Sequence, residues 1–376
     1  MRFRVERDVL ADAVAWAARS LPARPPVPVL AGLMLDAADG RLVLSSFDYE
    51  VSARVEVPAE VAEPGVALVS GRLLADISRS LPSRPVDVAT DGTKVVVTCG
   101  SSRFTLLTLP VEDYPALPEM PGASGSLHGD AFAIAVGQVS IAAGRDDTLP
   151  VLTGVRLEIE GSTITMAATD RYRLAVRELA WSPEQTGLEA IALVPARTLA
   201  DTAKALVHAE KVTVALATPG AGEGLVGFEG SGRRTTSRLL DGEFPKYKSL
   251  LPAESASVAT VSTAGLVESV RRVALVAERN TPIRLSFSAG EVTLEAGTGD
   301  EAQASESLDA TLDGDDISIA FNPAYLLDGL GVLGAEHAEL RFTAPTRPAV
   351  LAGKDSADST AGDDYRYLLM PVRLSG

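Results

Sequence analysis

Cysteine is almost absent from this 376-residue chain, and the one present, Cys99, sits in the strand-like run KVVVTCG. No intramolecular disulfide can form. A lone thiol preceded by Val96, Val97 and Thr98 reads as a small strand residue, and the composition fits a reducing, cytoplasmic setting. Histidine is scarce too: His128, His208 and His337 fall in a linker and near helix ends, with no cysteine or second histidine at ligand spacing, so no metal site is expected. No segment approaches the roughly 20 uninterrupted apolar residues of a membrane span, and the opening MRFRVERDVL has no apolar run behind its charges, so neither membrane insertion nor secretion is expected. A surplus of positive charge is also missing. Lys and Arg number 34 against 50 Asp and Glu, a formal net charge of -16. That balance excludes a protein that grips nucleic acid by bulk electrostatics. Any DNA role must confine its positive charge locally, or hold DNA by enclosing it.

Catalytic signatures are missing as well. The run GAGEG from Gly220 lacks the GK[ST] of a phosphate loop and reads as a hairpin tip, and there is no GxSxG elbow. The carboxylate pairs Asp146-Asp147, Asp315-Asp316 and Asp363-Asp364 lie in turns, where solvated acids are the ordinary reading. The expectation is a protein without catalytic residues, cofactor or metal.

What the chain does have is repetition. VSGRLLADISRSLP from Val69, VPARTLADTAKAL from Val194 and FNPAYLLDGLGVL from Phe321 each read as a strand end, a turn and an amphipathic helix. In the first, Leu73, Leu74, Ile77 and Leu81 recur at helical spacing; in the second, Leu199, Ala203 and Leu206 do so. Upstream of each copy lies another helical pattern, opened by Asp8, Asp130 and Thr263 as N-caps. Alternating strand patterns with tight turns surround the helices, as in RLVLSSFDYEVSARVEV after Asp39-Gly40 and TITMAATDRYRLAVREL after Glu160-Gly161. Each repeat is therefore an α+β unit of two helices and about eight strands. Pro115–Gly129 and the run LPAESASVAT from Leu251 read as linkers, and GKDSADSTAGDDY from Gly353 as a hairpin loop before the last strand. The domains expected are 1–121, 126–252 and 256–376.

The motifs LPVLTGVRL from Leu149, ATDRYRLAV from Ala168, LLDGEFPKYKSLLP from Leu239, IAFNPAYLLDGL from Ile319 and YLLMPVRL ending at Leu374 resemble, in order and over essentially the whole chain, the bacterial beta sliding clamps, the processivity subunits of DNA polymerase III, in an actinobacterial-like version. The resemblance implies three similar domains per subunit and two subunits head to tail, a six-domain ring that encircles duplex DNA without reading sequence. It also implies a pocket between the second and third domains for short peptides of the polymerase III alpha subunit, the clamp loader, other polymerases and repair proteins.

Carried over residue by residue, that peptide pocket comprises Leu152, Thr169, Arg171, Tyr172, Arg173, Leu174, Pro245, Ser249, Leu250, Asn322, Tyr325, Thr346, Pro348, Met370, Pro371, Val372, Arg373 and Leu374. Ser249 stands where the family often has Arg, and Arg171-Tyr172 where it has a small residue and His. These departures leave partner preference open, together with the choice between a housekeeping clamp and a second clamp that tolerates pocket-directed inhibitors. For DNA the resemblance points to Arg24, Arg72, Arg79, Arg197 and Lys204, which read equally as solvated helix faces; the third repeat has Ala324 at the matching position. For the subunit interface it points to Phe104 and Leu106 on the strand RFTLLTL, meeting Ala274 and Leu275 of the other subunit. Whether that strand is an exposed edge or already paired within its own domain stays open at this level.

Overall fold

The computed structural model describes residues 1–217, 224–277, 281–297 and 302–373. The GAGEG run up to Glu223, and Leu374, lie outside the described residues. The chain divides into two compact units. One contains Met1–Phe132, Ser182–Thr186 and Asp201–Leu239, and the other Ala133–Trp181, Gly187–Ala200 and Leu240–Gly376.

Six α-helices are found among the described residues, two in each sequence repeat: α1 (Arg7–Ala17), α2 (Gly71–Ser80), α3 (Gly129–Ser140), α4 (Ala196–Leu206), α5 (Thr263–Val273) and α6 (Pro323–Gly331). Their faces follow the apolar spacing. In α2, Leu74 and Ile77 are buried, as is Leu81 just beyond it, whereas Leu73, expected on the same stripe, is half exposed. One residue is about 100° of helix, enough to carry Leu73 off the stripe centred on Leu74. Leu199, Ala203 and Leu206 of α4 are all buried. The helix starts differ from expectation by one or two residues. Glu6 precedes α1, so Asp8 lies inside the first turn. Asp130 follows Gly129 inside α3. Ser262, not Thr263, caps α5, its hydroxyl accepting from the Gly265 N–H at 3.3 Å.

The first unit carries a 14-stranded sheet. Its core gathers Phe3, Val14, Trp16, Leu33, Leu44, Val55, Val69, Leu74, Val97 and Cys99. The second unit carries a 12-stranded sheet. Both segments expected to be linkers contain strand. Ala123–Leu127 pairs with Val212–Leu216, and Ser257–Ser262 pairs with His337–Phe342. Small Ser, Ala and Gly side chains hide the two-residue alternation by which a strand is recognised, and only pairing with distant segments makes these runs regular. His337 likewise opens a strand, with its Nδ1 buried, instead of ending a helix.

The same strand-to-strand joint is built once in each unit. In the first, Val51–Pro58 pairs antiparallel with Arg233–Arg238, Val55 facing Arg233 and Val51 facing Ser237. In the second, Arg173–Ala180 pairs with Tyr365–Leu369, Arg177 facing Tyr365 and Arg173 facing Leu369. Each joint lies beside the same kind of turn. Asp48 Oδ1 accepts from the N–H groups of Glu50 and Val51, and Asp170 Oδ1 from those of Tyr172 and Arg173. Within these turns Tyr49 and Arg171 have φ of 76° and 79°, the left-handed region that non-glycine residues enter only when neighbouring bonds hold them there.

Candidate peptide-docking site

The second unit's joint assembles much of the expected pocket. Tyr172 is 56% exposed, yet its backbone is held at both ends: its N–H donates to Asp170, and its carbonyl accepts from Met370 N–H at 2.9 Å. Its ring stacks on Tyr325 of α6, centroids 6.2 Å apart. Two residues beyond Met370, Val372 N–H donates to the Ala320 carbonyl at 2.8 Å, so the C-terminal segment ties the Asp170 turn to the strand Ile317–Phe321. Asn322 caps α6 by accepting from Ala324 N–H at 2.9 Å, which fixes the turn carrying Tyr325. Leu149, Tyr172, Leu250, Met370 and Val372 leave large apolar surface open to solvent, the chemistry needed to receive apolar side chains of a partner.

Beneath this surface lies a cluster of Ala167, Leu174, Val176, Leu193, Phe244, Tyr247, Val350 and Leu368. Leu174 and Thr169 are thus buried residues supporting the site, not open walls of it; Thr169 is committed to a hydrogen bond from its hydroxyl to the Arg173 carbonyl at 2.7 Å. Leu250 and Ser249 belong to the short 3-10 turn Tyr247–Leu250. That turn is anchored by Lys248, whose ammonium lies 2.8 Å from the buried carboxylate of Glu158. Hydrogen bonds from Lys248 and Arg156 outweigh burial and hold the Glu158 carboxyl below its ordinary range. Pro348 and Thr346 precede Ala349, which pairs with Leu369 beside Met370. Leu152 and Pro245 are half-buried and Arg373 is exposed; no described bond ties them to the Tyr172 group.

Arg173 is the charged centre of this region, only 5% exposed. Its Nε donates to Asp170 at 3.0 Å and its Nη1 to Asp328 at 2.6 Å, while the guanidinium lies 4.4 Å from the centre of the Tyr325 ring. Burial works against this charge, but Tyr367, Asp328 and Asp170 hold its pKa above the ordinary arginine value. Burial pushes the Tyr367 hydroxyl up against the opposing pull of Arg173, with Asp328 and Asp170 adding to the rise; the hydroxyl donates to the Tyr325 carbonyl at 2.8 Å. Asp328, Asp170 and Tyr367 were not among the residues expected from sequence. The available signal was the aspartate shared by RLLAD, RTLAD and AYLLD at Asp76, Asp201 and Asp328.

Arg24, Arg72, Arg79, Arg197 and Lys204 are all exposed. Arg72 and Arg79 are seven residues apart on α2, as are Arg197 and Lys204 on α4, so each pair shares one helix face. Arg72 Nη2 also donates to the Pro22 carbonyl at 3.0 Å, tying α2 to the loop that carries Arg24. On the strand Ser102–Leu109, Leu106 is 2% exposed and packs in the core, whereas Leu107 is 72% exposed. The reading of Leu106 as a surface contact is corrected by this alternation: the outward apolar residue is Leu107, and Phe104 is half-buried on the inner face. Leu275 is 83% exposed on the 3-10 turn Ala274–Val276, beside half-buried Ala274. Among the described residues no group of three or more His, Cys, Asp or Glu is placed to hold a metal ion.

Three family models match in series: the N-terminal, central and C-terminal domains of the DNA polymerase III beta subunit, over residues 1–118, 126–246 and 248–373. The beta sliding clamp of Streptomyces coelicolor is 66% identical over 376 residues, covering all of both chains. The beta sliding clamp homolog GriR of Streptomyces muensis is 48% identical, again over the full length of both. Among solved structures, the sliding clamp of Pseudomonas aeruginosa bound to griselimycin superposes with a TM-score of 0.90 at 30% identity, covering all of both chains. With all three of its consecutive segments matched and full-length relatives at this identity, the chain belongs to the family of DNA polymerase III beta subunits, the bacterial beta sliding clamps.

Proposed function

We propose that this protein is a DNA sliding clamp that encircles duplex DNA as a head-to-tail homodimer and tethers the replicative polymerase and other replication and repair proteins through the Tyr172–Met370 site. Full-length similarity to clamps carries the reading. The mechanism is topological linkage plus exchangeable peptide docking, with no bond made or broken, in the cytoplasm; loading falls to a separate ATP-driven loader. A division into domains 1–121, 126–252 and 256–376 draws support from three consecutive family models over 1–118, 126–246 and 248–373. No described helix is long and apolar enough to cross a membrane.

The homodimer reading draws support from the repeated joint. The strand Ala304–Asp313 is the third repeat's counterpart of Val51–Pro58 and Arg173–Ala180. Its residues Ala304–Asp309 pair on one side with Glu291–Ala296, and among the described residues their other side is open. Ser102–Leu109 is the first repeat's counterpart of Arg233–Arg238, and among the described residues its positions up to Leu107 pair only with Lys94–Cys99. Two open edges of one chain, each matching a partner in joints already made twice, are complementary in a second copy. Val55 sits opposite Leu44 and faces Arg233; Glu306 sits opposite Leu294, as Val55's counterpart. The carried-over register sets Ser102 of one subunit against Glu306 of the other.

Within the clamp reading, the 66% identity to the S. coelicolor beta sliding clamp supports a housekeeping clamp. The 48% identity to the homolog GriR and the fold shared with a griselimycin-bound clamp support an inhibitor-tolerant paralogue. Titrating this protein with griselimycin separates them: binding at the Tyr172–Met370 site fits the first, and failure to bind fits the second. The clamp function itself is tested by loading the protein onto nicked circular DNA with a clamp loader and ATP, then cutting the circle. Retention on circles with loss from linear ends is expected, and equal retention on both overturns topological linkage.

A further inference from the structure

Asp328 lies on α6, outside the peptide-facing surface, and it distinguishes two otherwise matching joints. The helices α2, α4 and α6 carry Asp76, Asp201 and Asp328 at the same step of RLLAD, RTLAD and AYLLD. The strand residue matching Arg173 at the first unit's joint is Val51, by its place in the Asp48 turn. Only at the second unit's joint does the helix aspartate therefore have an arginine to meet, 2.6 Å away. That arginine is held from three directions, by Asp170 of its own turn, by Asp328 of α6 and by the Tyr325 ring. The other bonds seating α6 run through Tyr367: its hydroxyl donates to the Tyr325 carbonyl, and its ring lies so close to Gly329 that an added Cβ would come within 2.5 Å of it. Tyr325 thus lies against both Arg173 and Tyr172, and Tyr172 is pinned to Met370.

We infer that Asp328 is a positioning residue for peptide docking: through Arg173 it sets where Tyr325 stands, and Tyr325 sets the Tyr172 ring at the mouth of the site. The inference rests on the docking site proposed above. A planar guanidinium can serve Asp170 and Asp328 at once while lying on an aromatic face, and a lysine ammonium cannot do all three. Removing the Asp328 charge leaves Arg173 with Asp170 and the longer 3.4 Å bond to the Tyr367 hydroxyl, and removes the charged tie between α6 and the strand carrying Arg173.

The test measures binding of a fluorescein-labelled synthetic peptide carrying the C-terminal tail of a polymerase III alpha subunit, by anisotropy, to the intact dimer. Variants are D328N, D328E and R173K. The expected result is an affinity about tenfold lower for D328N and R173K, with D328E recovering most of the loss. In nuclear magnetic resonance spectra the ring signals of Tyr172 and Tyr325 should shift in D328N, while sedimentation shows the dimer unchanged. A D328N variant whose folded fraction binds within twofold of the parent, with unshifted tyrosine signals, overturns the role of Asp328. A parent protein that binds no peptide overturns the docking site instead, and the two failures are distinguished by the parent alone.

Discussion

Replacing Leu275 with alanine tests the ring interface most directly. Its side chain is 83% exposed on the 3-10 turn Ala274–Val276 in the isolated chain, and the proposed homodimer places it against the strand Ser102–Leu109 of the other subunit. Truncation to alanine removes three carbons from the buried surface, about 2 kcal/mol at roughly 0.8 kcal/mol per carbon. A head-to-tail dimer has two identical interfaces that break together, so the substitution acts twice, at about 4 kcal/mol in all. At about 1.4 kcal/mol per tenfold, dimerisation should weaken roughly 1000-fold. Sedimentation velocity over nanomolar to micromolar protein gives both dissociation constants. Because Leu275 adds little to the monomer's own core, thermal stability of the monomer should be almost unchanged. A dimer weakened less than tenfold, with the parent shown to be dimeric, refutes the placement of Leu275 in the interface.

Three further outcomes follow from particular contacts. Substituting alanine at Arg72, Arg79, Arg197 and Lys204 together should lower the slope of log affinity for duplex DNA against log salt by about 3 to 4 for each subunit that contacts the DNA, at roughly 0.9 per phosphate contact, measured between 50 and 200 mM salt. G329A should destabilise the second unit by about 1–3 kcal/mol, because the added methyl meets the Tyr367 ring at 2.5 Å; calorimetry reads the loss. Glu306 is hydrogen-bonded by Arg272 and Ser269, which hold its pKa at about 2, below the ordinary 4.5. A depressed carboxyl contributes stability that is complete above the unfolded value and lost as pH falls through the folded one. E306Q should therefore remove part of the fall in thermal stability between about pH 4.5 and 2.

Much of this protein is written locally. The two helices per repeat, the tight turns at Asp39-Gly40 and Glu160-Gly161, and the paired arginines of α2 follow from spacing along a few turns of chain, which a sequence displays directly. The family motifs around Tyr172 and Met370 are also contiguous, so the candidate site was legible before its geometry. The side on which a strand residue falls is less secure. Leu106 and Leu107 are equally apolar, and only the register with Lys94–Cys99 sends the first into the core and the second outward.

By itself, then, the sequence determined the repeat, the acidic balance that rules out bulk binding of DNA, the absence of disulfide chemistry and the apolar residues available for docking, because each depends on composition or short-range period. Only the tertiary structure decided which strands of different repeats join, which strand edges stay open, that Thr169 and Leu174 support the site from beneath, and that Asp328 reaches Arg173 across 155 residues of chain. Those outcomes depend on pairing between distant segments, where burial and hydrogen bonding select one partner among many that local pattern allows.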